Sequence, residues 1–171
     1  MIRLRKIEPA DLPFLYQWEN DADAWSDGSN HNPLSQKDLR DYIQASTGDI
    51  YKDGQLRLLI ECSLSEDDTQ PTTIGCVDLY DLDPRNARAA VGIYIAPDYR
   101  DRGWGSKALD ELARYAFGFL HLRTLYAVVS QTNKPSCAIF QKSQYIPSGQ
   151  LTQWTLEGDA ILFIRNNENR I

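Results

Sequence analysis

A mixed α/β fold, with one mostly antiparallel sheet of about seven strands and helices on both faces, follows from three features of the sequence. Apolar runs with a two-residue alternation or β-branched content alternate with stretches of helical period. Their order is strand, two helices, three strands, helix, strand, helix, two strands. The three consecutive strands are joined by turn-rich segments and should be antiparallel. A helix separates residues 87–96 from 124–129, so those strands should be parallel with a right-handed crossover.

Ile2 to Lys6 alternates apolar and basic residues, as a half-buried strand does. Glu8-Pro9-Ala10-Asp11 opens a helix whose apolar face is Leu12, Leu15 and Trp18, with Phe14. Asn20 to Pro33 is rich in Asp, Asn, Gly and Ser and reads as a loop. Ser35 is the expected N-cap of a second helix, with Asp38 at the third helical position and Leu39, Tyr42 and Ile43 on one face.

Asp53-Gly54 marks a turn before a strand from Leu56 to Leu64. Ser65 to Thr72 is an exposed hairpin loop, and Thr73 to Leu82 and Ala87 to Ala96 are strands. After the turn Pro97-Asp98-Tyr99, the apolar positions between Gly105 and Leu120 keep a 3.6-residue period, which predicts a helix. Thr124 to Val129 is β-branched and aromatic and reads as a buried strand. Lys134 to Lys142 forms a short helix, with Asn133 near its start. Leu151 to Leu156 and Ala160 to Arg165 close the chain as a hairpin around Glu157-Gly158-Asp159.

The 171 residues suit a single domain spanning 1–171. Cys62, Cys76 and Cys137 are odd in number and unpaired in spacing, which argues against a disulfide framework or a metal site and for a reducing compartment. No apolar run approaches the ~18 residues of a membrane span. A soluble cytoplasmic protein is expected, with no membrane partner. The 18 Lys and Arg against 24 Asp and Glu leave a net charge of −6, which argues against nucleic acid as a ligand. An acidic surface attracts cations, or it serves only solubility. Association into a homo-oligomer is open on the sequence alone.

The stretch Val91-Gly92-Ile93-Tyr94-Ile95-Ala96-Pro97-Asp98-Tyr99-Arg100-Asp101-Arg102-Gly103-Trp104-Gly105-Ser106 runs strand, turn, glycine loop, helix. Glycines permit close backbone approach, and a helix start presents unpaired N–H groups and a positive dipole end. Such a place holds a phosphate or pyrophosphate, and Arg100 and Arg102 add charge there. No Gly-Lys-Ser/Thr follows, so this is not a Walker A loop, and the first glycine of a dinucleotide fingerprint is missing.

Arg100-x-x-Gly103-x-Gly105 after Ile93-Tyr94-Ile95-Ala96-Pro97 resembles the acetyl-CoA pyrophosphate loop of the GNAT N-acetyltransferase superfamily. A second segment, Asn133-Lys134-Pro135-Ser136-Cys137-Ala138-Ile139-Phe140-Gln141-Lys142, resembles that family's Asn-x-x-Ser/Ala-x-x-Leu-Tyr-x-Lys motif. Arg3-Leu4-Arg5, the Asp11-Leu12 helix and Ala113-Arg114-Tyr115-Ala116-Phe117 are similar to the branch of spermidine N-acetyltransferases and ribosomal-protein N-terminal acetyltransferases.

The resemblance implies acetyl-CoA as cofactor and a fourth and fifth strand that splay apart. Pantetheine would pair with the backbone around Ile93 and Ile95, and an N–H near Ile93 or Tyr94 would meet the developing oxyanion. The pyrophosphate would rest on the loop Arg100, Asp101, Arg102, Gly103, Trp104, Gly105 and Ser106. The second motif would contribute Asn133, Ser136, Phe140 and Lys142. An amine attacks the thioester directly in this family, so no protein nucleophile or metal is required. A polyamine or other small amine is the leading acceptor and a peptide N-terminus the alternative. A CoA-binding sensor or scaffold that has lost catalysis is the reading from another class.

The sequence departs from the family at Phe140, where the usual tyrosine acid stands, and at Gln144, where a glycine is usual. Ser136 could protonate the thiolate directly or through water. Tyr145 could turn inward to do so. A thiolate with pKa near ~8.5 could also leave unaided. Asp78 in the strand Cys76-Val77-Asp78-Leu79-Tyr80 is the candidate base, with Asp81 second, because carboxylates in such strands are uncommon unless paired or functional. The competing reading is an Asp78 that is half exposed or bonded to an arginine. Trp25, among Asp21, Asp23 and Asp27, together with His31, could bind a cationic acceptor through charge and the indole face. Otherwise this segment is a solvated loop with Trp25 covering the core. His121 has no expected catalytic role.

Overall fold

The computed structural model describes residues 1–21, 32–63 and 70–168. Among these residues the strands are β1 (Ile2–Lys6), β2 (Leu56–Cys62), β3 (Thr72–Asp83), β4 (Arg88–Ile95), β5 (Thr124–Ser130), β6 (Ile146–Thr155) and β7 (Gly158–Asn166). They form one seven-stranded sheet in the order β1-β2-β3-β4-β5-β7-β6. The helices are α1 (Leu12–Glu19), α2 (Gln36–Ala45), the single turn α3 (Ile50–Asp53), α4 (Trp104–Gly118) and α5 (Lys134–Lys142). This is the mixed, mostly antiparallel architecture expected from the sequence.

The apolar periodicity of each element sends its residues to one of two cores. Leu15 and Trp18 of α1, and Leu39 and Ile43 of α2, pack on Leu59 of β2 and Cys76 of β3. Leu58 and Ile60, the alternate residues of β2, point to the other face. There they meet Ala108, Leu109, Leu112, Ala113 and Ala116 of α4, with Phe140 of α5. Helices therefore cover both faces. Ser35 caps α2 through a reciprocal capping box with Asp38, as its spacing predicts.

The N-terminal strand is anchored by charge as well as by pairing. Arg5 donates 2.7 and 2.8 Å hydrogen bonds to both oxygens of Asp11 and also holds Glu61, which Arg3 meets at 2.6 Å. Burial alone would raise both carboxyls. The arginines, and the Glu8 N–H on Asp11, outweigh it and hold both below the ordinary range.

Parallel pairing of β4 with β5 is confined to Arg88–Thr124, Ala89–Leu125 and Ala90–Tyr126. Beyond that point β4 stays paired with β3 as far as Ile95, and β5 stays paired with β7 as far as Ser130. The two central strands thus part company from Val91 and Ala127 onward. Close approach fixes β4 on its other side. A β-carbon at Gly75 would collide with the carbonyl oxygen of Tyr94.

Several boundaries shift by a residue or two, and three differences have a clear physical reason or bear on the helices. Asp53-Gly54 is not a free turn but the end of α3, with Asp49 capping its start and Gly54 at φ 72° closing it. β6 begins at Ile146, not Leu151, because its first half tolerates Pro147 and Gly149 through a register shift against β7. α4 stops at Gly118, two residues short of Leu120.

Candidate active site

The gap between β4 and β5 is lined by backbone. The Ala96 N–H donates to Ile74 across the β3 edge at 2.9 Å. In an antiparallel pair every second residue bonds to the same neighbour, so Ile93 and Ile95 turn their N–H and C=O toward the gap. Arg100 takes the Ile95 carbonyl through Nε at 2.9 Å and lies 5.7 Å over the Tyr94 ring. It fastens the loop to the end of β4.

That loop leads into α4. Gly103 is the N-cap, at φ 75°, and no side chain caps the helix. The first-turn N–H groups therefore lack a side-chain acceptor, and a fifteen-residue helix places its positive end there. Asp101 is also left-handed, at φ 59°. The β-carbon direction of Gly103 is open, so the loop leaves space beside the helix start. Ser106 is buried and turns its hydroxyl back to the Gly103 carbonyl at 3.1 Å. Arg102 stays exposed, and Lys107 sits 4.9 Å over the Trp104 ring. The donor set fits a pyrophosphate, and the strand gap fits an extended chain with amide groups.

α5 is docked against this loop. A β-carbon at Gly105 would lie 3.1 Å from Ile139, so glycine allows the two helices to approach. The Ser143 hydroxyl bonds the Ser106 carbonyl at 3.2 Å. Asn133 caps α5 by accepting the Ser136 N–H at 3.1 Å, and Lys142 lies exposed in the last turn. An open depression of about 500 Å³, lined by Thr132, Asn133, Pro135 and Glu157, lies where β5 turns into α5.

Phe140 is 3% exposed and belongs to the core, stacked 6.0 Å from Phe163. Tyr145 is 2% exposed and packs there too, its hydroxyl buried without a hydrogen-bond partner among the described residues. Burial pushes its phenol well up. This is a core position rather than one turned to the gap, which counts against Tyr145 as the acid. Ser136 remains half-buried at the first turn of α5.

The opposite face of the gap carries charge. Asp78 stands across from Gly92 on one side and Arg57 on the other. Arg57 holds both oxygens of Asp78, Nε to Oδ1 at 2.7 Å and Nη2 to Oδ2 at 2.9 Å. Its Nη1 binds Glu19 at the end of α1. Burial would lower the guanidinium, but Asp78 and Glu19 outweigh it and raise it well above its usual value. The arginine-bonded reading of Asp78 is the one the geometry matches. Tyr94 donates to Asp21 at 3.2 Å; burial, then that carboxylate, pushes its phenol up to about 12. Burial pushes the Cys76 thiol to about 12 as well, as suits a core thiol. Asp81 is exposed and left-handed at φ 48°.

Sequence reasoning missed Arg57 and Glu19. The available signal was a charge at position 57 inside the apolar run Leu56-Arg57-Leu58-Leu59-Ile60. Its partner 38 residues upstream carries no mark in the sequence. Trp25, Asp27 and His31 lie outside the described residues. Among the described residues no group of His, Cys, Asp and Glu could hold a metal ion, and no helix is long and apolar enough to cross a membrane.

Comparison with known proteins converges on one family. The chain is 26% identical over 153 residues to the spermidine N(1)-acetyltransferase of Escherichia coli (strain K12), covering 88% of this chain and 75% of that one. It is 22% identical over 152 residues to its counterpart in Vibrio cholerae, covering 89% and 83%. A crystal structure of spermidine N-acetyltransferase from Vibrio cholerae with CoA and spermine superposes with a TM-score of 0.83 at 21% identity, covering 96% of this chain and 95% of that one. A dodecameric form of the same enzyme gives 0.77 at 20% identity, covering 96% and 93%. The profile of the acetyltransferase (GNAT) domain matches residues 2–145, and the chain therefore belongs to the GNAT acetyltransferases, enzymes that use acetyl-CoA.

Proposed function

We propose that this acetyltransferase moves the acetyl group of acetyl-CoA onto a polyamine or a similar small cationic amine. The observation that carries the acceptor class is the acidic character of this face, where Asp78 and Glu19 grip one guanidinium and Asp21 accepts the Tyr94 hydroxyl. The relatives named for spermidine support the same class. A peptide N-terminus is the second acceptor reading, and a weakly catalytic CoA sensor the third, which the buried Phe140 favours.

In this reading the uncapped start of α4 and Arg102 hold the pyrophosphate, and Ile93 and Ile95 pair with the pantetheine amides. Acetyl-CoA supplies an activated thioester. The Ile93 N–H donates to the negative charge that develops on the acyl oxygen. The amine enters from the Asp78 side as a cation and releases one proton to solvent. As the neutral amine it forms the new C–N bond while the C–S bond breaks, and its second proton also passes to solvent in the cleft. Ser136 returns a proton to the thiolate, or the thiolate leaves unaided, since its pKa of about 8.5 makes it a fair leaving group. Residues 1–171 act as one domain in the cytoplasm, and copies associate, as the dodecameric relative does.

Thioester cleavage measured with spermidine, a neutral-tailed monoamine and a peptide tests the acceptor. Spermidine should have the lowest KM, and its KM should rise with salt as screening weakens the attraction. Replacing Asp21, Asp23 and Asp27 by Asn should raise the spermidine KM and flatten that salt dependence, leaving the acetyl-CoA KM unchanged. Turnover of the peptide alone would replace the polyamine reading with the second one.

A further inference from the structure

Arg57 occupies a position that stability alone does not explain. It points from β2 onto the sheet face covered by α1 and α2, among Leu59, Cys76 and Trp18. Its side chain is 21% exposed, Asp78 is 23% and Glu19 is 16%. Taking three charges this far out of water is costly, and an apolar set of similar volume often serves the fold as well or better. The group is also directional. Arg57, Asp78 and Gly92 form one cross-strand row running from β2 through β3 to β4. Glu19 closes the row at the α1 end. At the other end Gly92 bears no side chain, and its β-carbon direction lies 3.5 Å from the Asp78 carboxylate. The row therefore ends at a residue with no side chain of its own, with the Tyr80 ring 3.7 Å from its β-carbon direction, two residues past Ala90, the last β4 residue paired with β5.

Formal charges make the device more specific. Two carboxylates and one guanidinium leave one negative charge. Both Asp78 oxygens are engaged by a rigid fork, which fixes the plane of the carboxylate as well as its place. A carboxylate held this way is suited to orient an N–H bond rather than to carry a proton away.

We propose that Arg57 is the positioning residue of the acceptor site: it fixes the Asp78 carboxylate beside Gly92, where β4 and β5 part, with Glu19 holding Arg57 from behind, so that an amine entering as a cation is bound and oriented there. This inference rests on the acetyl-transfer reading above. It gives Asp78 the role of a fixed charge and hydrogen-bond acceptor toward the amine. It gives Arg57 no contact with substrate.

The test compares Arg57→Met and Arg57→Lys with the wild-type enzyme. Methionine fills the same volume without charge, so the two carboxylates become unaligned while the cleft gains one negative charge. The spermidine KM should stay level or fall, and kcat should drop by about tenfold to a hundredfold, the range that small misplacements cost. The acetyl-CoA KM should not move. Lysine restores the charge but grips at one point, so kcat should recover only in part. Melting temperatures report folding independently. A merely structural Arg57 would show itself as a lower melting temperature with kcat unchanged in the folded fraction, or as parallel losses for both substrates, and either result overturns the proposal. Wild-type enzyme that binds acetyl-CoA but acetylates no amine overturns the acetyl-transfer reading, and the proposal with it.

Discussion

Tyr145 stands edge-on to Phe140, with ring centroids 5.0 Å apart and planes at 82°. The pair fills the space beneath α5, and the phenol oxygen ends in the core without a partner among the described residues. An unpaired buried hydroxyl costs on the order of 1–3 kcal/mol. Tyr145→Phe should therefore raise stability by about 1 kcal/mol in denaturant unfolding. Turnover should not change. A collapse of turnover in a well-folded variant would make Tyr145 the acid after all.

Acetyl-CoA should raise the melting temperature by several degrees, since ligand at 100 times its Kd adds about 2.7 kcal/mol. Gly103→Glu should abolish that rise, because a carboxylate would occupy the open space where phosphates are expected. Gly103→Ala is the control. It meets no atom but must adopt φ 75°, which costs roughly 1–2 kcal/mol, so the protein should melt lower yet keep the shift. Equal shifts in both variants would move the pyrophosphate away from this loop.

The Ser136 N–H is held by Asn133, so Ser136→Ala removes only the hydroxyl and leaves the α5 cap intact. If that hydroxyl protonates the departing thiolate, kcat should fall toward the ~100-fold loss typical of one proton-transfer group. The acetyl-CoA Kd should hold. An unaltered kcat would show that the thiolate leaves without help.

Acid should loosen the N-terminal anchor. Asp11 and Glu61 both have folded-state affinities for protons below their unfolded ones. The stability they contribute is present above the unfolded values, near ~4, and is lost as pH falls through the folded values. Melting temperatures should drop below about pH 4. Asp11→Asn should lower the plateau at neutral pH and reduce the drop. An unchanged slope would place the acid sensitivity elsewhere.

The fold was legible wherever periodicity was long. α4 keeps one apolar stripe over four turns, and β2, β3 and β4 follow one another with clear turn signals. The junction from β4 into α4 was legible too, because Gly103 and Gly105 follow a strand and precede a long apolar period, and the helix does begin there with Gly103 as its N-cap. Short or interrupted elements were not. α3 is a single turn. Ile146-Pro147-Ser148-Gly149 looks like a turn and becomes strand only because β7 offers a partner for it. The charged row was half legible. Asp78 stood out as a carboxylate in an apolar strand, and its pairing with an arginine was one of two open readings. Which arginine, and the Glu19 beyond it, depended on strand register and on where α1 ends, neither of which composition records.

Both borders of the sheet are unsuited to further growth. β1, at one border, carries Arg3, Arg5 and Lys6, and charged residues discourage a second strand from docking. β6, at the other, contains Pro147, which has no N–H to give, and two register shifts that break its ladder with β7. Strand-to-strand fusion of copies is therefore disfavoured at either end. Copies that assemble must meet through helices, side-chain surfaces or loops, which leaves the gap between β4 and β5 in the middle of the sheet and away from its borders.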